Sequence, residues 1–264
     1  IKDLQDLRKL SKKRRKRIDG IKNASLKDKI KIIIDLLDDV RQLGTPQFSR
    51  MARLAFIGNQ YLKGLVSKGI ISNSDCEYFL LNIDTVASDL SNDFNRVLSR
   101  KLNIGDFNKL YGHLRPGTYD IKKLPYNKDS SYFSLRSKAN AKGKEQKRKQ
   151  NNLKEFREGI TDFLVNFEIS LSTDHLLSFI EETTKLRESF KFEFTKNLSF
   201  ALELLVDVGK QLGFERAKLS NLSIESLMCV TSSTAIPDII DLWSSQISGK
   251  SQNDMIYDYI TLHH

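Results

Sequence analysis

The chain has 264 residues, 39% of them apolar, with 43 Lys and Arg against 33 Asp and Glu and a net charge of +10. That length suits one large domain or two ordinary ones with a sizeable core. Apolar runs end after three or four residues, as at Ile32-Ile33-Ile34, far short of the ~20 needed to span a bilayer. The charged opening does not read as a signal peptide, and a cytoplasmic setting is expected.

Residues 1–24 read as a basic lead-in. Positions 1–17 hold nine Lys/Arg and two Asp, and positions 136–157 hold nine Lys/Arg and two Glu, which leaves the remainder at −4. A binding face built into a fold spreads its cations along folded elements. Here they sit in two polar runs, KKRRKR at 12–17 and KGKEQKRK at 142–149, so nucleic acid is not an expected partner. A helical nucleic-acid-binding or scaffold module that uses these runs is the competing reading. The start at Ile1 inside a charged, helix-like segment, and His263-His264 like the stub of a purification tag, suggest a piece of a longer protein.

Residues 25–128 form a helical subdomain. Ser25 with Asp28 is a capping-box-like start for a helix to about Leu43, with apolar positions repeating at three and four, and Gly44-Thr45-Pro46 ends it. A second helix runs from about Gln47 to Lys68 and stops at Gly69. A third begins at Ser72 or Ser74 and runs without a break to Leu98, and a short one carries Phe107 and Leu110. Residues 114–128, with two Pro and one Gly, read as irregular. A mobile basic stretch is expected at 130–152, where little apolar surface is available to bury.

A second helical subdomain follows at 153–262. Leu153 to Phe167 is helix-compatible, Thr173 is a good N-cap, and from there to Gly213 the apolar stripe reads as one long helix. Ser223 to Val230 and Pro237 to Ile247 supply two more. The expected fold is therefore all-α, organised around one long helix. Cys76 and Cys229 have no zinc spacing and read as buried small hydrophobes in a reducing compartment. Trp243, Met51 and Met228 read as packing residues.

Two places are candidates for chemistry. Tyr111-Gly112-His113-Leu114-Arg115-Pro116-Gly117-Thr118-Tyr119-Asp120-Ile121 gathers imidazole, guanidinium, phenol and carboxylate groups on a rigid-then-flexible backbone, which suits groups aimed at a common point as well as a loop that ties itself down with internal hydrogen bonds. Arg187, Glu188 and Lys191 share a helix face and cluster two cations around one carboxylate, an arrangement that suits phosphoryl transfer as well as an ordinary solvated face.

YGHLRPGTYDI at 111–121 resembles the helical middle region of phosphoenolpyruvate-synthase-like proteins, the group related to pyruvate phosphate dikinase and rifampicin phosphotransferase. The resemblance extends to FSRMARLAFIGNQYLKGLVSKGIIS at 48–72, FLLNIDTVASDL at 79–90, LRESFKFEFTKNLSFALELLVDVGKQLGF at 186–214 and LSNLSIESLM at 219–228. It implies a substrate-binding, phosphoryl-acceptor region. The phosphoryl group would come from ATP through a phosphohistidine, carried on ATP-grasp and swivelling domains of the same parent chain. ATP and Mg are implied for the parent and no cofactor for this region, whose partner would be a small-molecule acceptor. In that resemblance Arg187, Lys191 and Arg115 hold the phosphoryl group, while Glu188 or His113 acts on the acceptor hydroxyl. The loop and the helix face are expected to line one cavity, and the chain alone is expected not to turn over ATP.

Overall fold

The computed structural model describes residues 2–116, 119–129 and 153–253. The basic stretch expected to be mobile, 130–152, lies outside the described residues. Those described are all α, with no strand among them. The helices are α1 (Lys2–Asp19), α2 (Leu26–Leu43), α3 (Thr45–Ser67), α4 (Asn73–Leu81), α5 (Val86–Leu98), α6 (Ile104–Tyr111), α7 (Leu153–Asn166), α8 (Thr173–Gln211), α9 (Ile224–Met228) and α10 (Ile236–Asn253). No described helix is long and apolar enough to cross a membrane. The chain divides into two compact units, and α1 and α8 give residues to each.

The first unit takes residues 1–7, 44–111 and 130–193. Its core joins Leu62 and Leu65 of α3 to Cys76 of α4, Phe156, Ile160 and Leu164 of α7, and Leu176, Leu177 and Ile180 of α8. Phe79 stacks on Phe156 with ring centroids 5.5 Å apart. Close approach of backbones is possible because α7 carries a glycine where it crosses the turn after α3. A Cβ on Gly159 would lie 2.6 Å from the Ile70 carbonyl oxygen. That turn depends on Gly69, whose φ of 71° lets the Ile70 amide donate back to Leu65.

The single helix expected from Ser72 or Ser74 to Leu98 is two. Ser72 caps α4 by accepting from the Asp75 amide, and α4 ends where the Asn82 side chain donates to the Tyr78 carbonyl at 2.7 Å. Thr85 then opens α5 with a reciprocal capping box to Ser88. Side chains that bond the local backbone compete with helix continuation, which overrides the persisting apolar period. At α8 the cap is Ser172, which accepts from the His175 amide, and the expected cap Thr173 is the first helical residue.

The second unit takes residues 8–43, 112–129 and 194–264. Ile30, Ile33 and Leu36 of α2 share a core with Ala201, Leu205 and Val208 of α8 and with Ile239 and Trp243 of α10. Trp243 is fully buried, its ring 5.9 Å from Phe214. The expected Ser25 and Asp28 pairing is present, with Ser25 Oγ donating to Asp28 at 2.7 Å and accepting from the Asp28 amide at 3.2 Å. Two packing assignments change: Cys229 is exposed and Met228 is 62% exposed. Helix α9 has five residues and buries only Ser226 and Leu227, so its end has no inner face to offer them.

Candidate functional site

Arg115 organises the loop of the second unit. Its Nη1 donates to the carbonyls of Asp120 and Lys123 at 3.3 and 3.2 Å. Its Nη2 donates to Ser199 Oγ at 2.8 Å and to the Ser199 carbonyl at 3.3 Å, and it reaches Glu203 at 3.4 Å. Pro116 restricts the backbone of Arg115 to an extended form, and its guanidinium, planar and always charged, can serve several acceptors from one position. The side chain is 3% exposed. Burial lowers the Arg115 pKa, partly opposed by Glu203.

Glu203 is the centre of charge. Arg216 donates to both of its oxygens, at 3.0 and 2.8 Å, and Lys128 donates to Oε2 at 2.7 Å. Burial alone would push the Glu203 carboxyl up, but the hydrogen bonds and charges of Arg216 and Lys128 outweigh it and hold the carboxyl below its ordinary range. Arg216 also donates to the Ile121 carbonyl at 2.8 Å. The loop closes on itself where the Tyr126 amide donates to Leu114 and the Asn127 amide to Gly112. His113 stands half-buried within this clasp. Tyr119 stacks on Phe194 with centroids 6.5 Å apart.

In the first unit Tyr111, the opening residue of the same motif, is buried and donates to Asp93 at 3.1 Å. Burial, then Asp93, pushes its phenol well up. On α8 the Arg187 Nε donates to Glu188 at 2.9 Å. These two side chains are 26% and 25% exposed, so they are neither swallowed by the core nor fully solvated. Lys191, one turn on, is exposed, while Thr184 is half-buried and Thr195 buried. A cavity of about 270 Å³ in the same unit is lined by Tyr78, Phe79, Asn82, Ile83 and Glu181. Glu181 precedes Glu188 by two helical turns, about 10 Å along α8.

The structure thus pairs Arg187 with Glu188 and sets Lys191 on the same helix, whereas His113 and Arg115 fall in the second unit. The resemblance implies a phosphoryl-binding role for Arg115; in the structure its guanidinium donates to protein acceptors. Ser199, Glu203 and Arg216, and Lys128 as a partner of Glu203, were not foreseen, since the bonds between α8 or Arg216 and the loop span long separations, such as 84 residues for Arg115 to Ser199. Local spacing carries no trace of such bonds. Among the described residues no three His, Cys, Asp or Glu side chains group as a metal site.

Comparison with known proteins brings no relative: no family model, curated protein or solved structure matches the chain.

Proposed function

We propose that the chain is the phosphoryl-acceptor region of a phosphoenolpyruvate-synthase-like phosphotransferase. The observation that carries this reading is the partly exposed Arg187 and Glu188 pair on α8 with Lys191 one turn beyond. A transferring phosphoryl group spreads negative charge over its oxygens. Arg187 and Lys191 would stabilise that charge, and Glu188 would accept the proton of the attacking hydroxyl. The cavity at the α4 and α5 junction falls just below the usual range for ligand sites and would take only a small acceptor. Arg115 acts here as a positioning residue that fixes the loop around His113, the second acid–base candidate. ATP and Mg would act on domains of the parent protein, and the acceptor region itself would hold neither.

The test is a titration of inorganic phosphate into the chain followed by ³¹P NMR. The phosphate line should broaden with the wild-type chain and much less with Arg187→Gln/Lys191→Gln. Glu188→Gln should tighten binding, because it removes a like charge facing the anion. Equal broadening in all three proteins would remove the phosphoryl role from this face.

A further inference from the structure

The first basic run is divided by the fold into an inner and an outer set. At 100° per residue, Leu10, Arg14 and Arg17 of α1 share one side of the helix. Leu10 is fully buried, and Arg14 donates to Asn197 at 2.9 Å. Lys13 and Arg17 both donate to Asp39 of α2, at 2.8 and 2.7 Å, and Arg17 also reaches Asp35 at 2.6 Å. Half of KKRRKR is therefore spent on the structure of the second unit.

Arg8, Lys12 and Arg15 project from the opposite side, with Lys16 beside them, and all four are exposed. They cover about 12 Å of helix axis. Asp19 is the one acidic residue continuing that side. Lys16 also borders a groove of about 400 Å³ that is lined further by Lys13, Arg17, Gly20 and Ile32. The cations thus lie on an ordered helix anchored through its inner face, which is the arrangement a built-in binding face requires.

From this we infer that the outer face of α1 is a docking surface for the phosphate backbone of duplex nucleic acid, read without regard to sequence. Charge complementarity points to a polyanion, and the composition of the face selects among polyanions. Protein interfaces are depleted in Lys and anchored by aromatic or apolar groups; between Arg8 and Lys16 this stripe has none, and the exposed Leu4 and Ile18 lie beyond its two ends, too far apart to form one apolar face. Helices that lie in a membrane surface turn an apolar face to the lipid, and the apolar Leu10 faces inward. Stacking on single strands needs aromatic platforms, also missing from the stripe. Phosphate contact needs only spaced cations on a firm support. The inference is independent of the acceptor role assigned to α8.

The experiment measures binding of the full 264-residue chain to a fluorescent 20-base-pair duplex of arbitrary sequence between 50 and 200 mM salt. Each phosphate neutralised adds ~0.9 to the slope of log affinity against log salt, so four cations account for a slope of about −3.6 and roughly a hundredfold loss over this range. Arg8→Gln/Lys12→Gln/Arg15→Gln/Lys16→Gln should shallow the slope by that amount, with unchanged helical circular dichroism. A control removing four other exposed cations, Lys63, Lys68, Lys101 and Lys122, should keep the wild-type slope. Absence of duplex binding at 50 mM salt would overturn the inference, as would equal slopes for the two variants. Displacement of the duplex by polyglutamate or phosphatidylserine vesicles as readily as by unlabelled duplex would reject nucleic acid as the occupant.

Discussion

Arg115 sets its Nη2 2.8 Å from Ser199 Oγ, joining the 112–129 loop to α8 across 84 residues of chain. The loop puts Ile121 into the core of the second unit, and this guanidinium ties the backbone on either side of it, at Asp120 and Lys123, to α8. Arg115→Ala would remove all five of the contacts this guanidinium makes inside the second unit. A loss of about 3 kcal/mol in urea-derived stability is expected, in the range for removing one partner of a buried charged network. Arg115→Lys keeps the charge but not the fork, and should recover less than half of that loss.

Glu203 makes the same assembly sensitive to acid. Its carboxyl is held below the ordinary value by Arg216 and Lys128 against the opposing effect of burial. A carboxylate whose folded pKa lies below its unfolded value of about 4.3 contributes stability above that value and loses it as pH falls through the folded pKa. Melting temperature should therefore drop on acidification below about pH 4. In Glu203→Gln the plateau should be lower and the acid drop smaller. An unchanged acid profile in that variant would place the sensitivity elsewhere, with Asp39, held low by Arg17 and Lys13 against burial, the next carboxylate to replace.

Gly159 tests the contact between α7 and the turn after α3. An added methyl would meet the Ile70 carbonyl oxygen at 2.6 Å, a backbone atom that can withdraw only by moving the turn. Alanine is the better helix former by about 1 kcal/mol, yet Gly159→Ala should lower stability by about 1–3 kcal/mol through overpacking. A stabilised variant would show that the two elements separate freely.

Much of the fold was legible because most of the chain obeys one period. The stripe from Leu176 to Leu212 gave α8, and Ser25 with Asp28 gave the start of α2. Helix stops were legible where glycine marks them, at Gly69 and Gly213, both at positive φ. They were hidden at Arg100 and Glu168, which take the same left-handed conformation with ordinary side chains. The break at Asn82 was hidden for a related reason: Ile83, buried within the break, keeps the apolar rhythm while Thr85 restarts the helix. Of the candidate site, the residues named from local spacing were legible. Their partners Ser199, Glu203 and Arg216 were not, since only the folded chain brings them to the loop.

The most direct test of the acceptor role is a single-turnover measurement on the complete parent protein charged with ATP labelled at its β- and γ-phosphates. Discharge of the labelled phosphohistidine into an extract of small hydroxyl compounds is followed with time. Glu188→Gln should form the phosphohistidine at the wild-type rate and discharge it at least about a hundredfold more slowly, the least that loss of a general base costs. Discharge at the wild-type rate in that variant, or a parent protein that forms no phosphohistidine, would contradict the account.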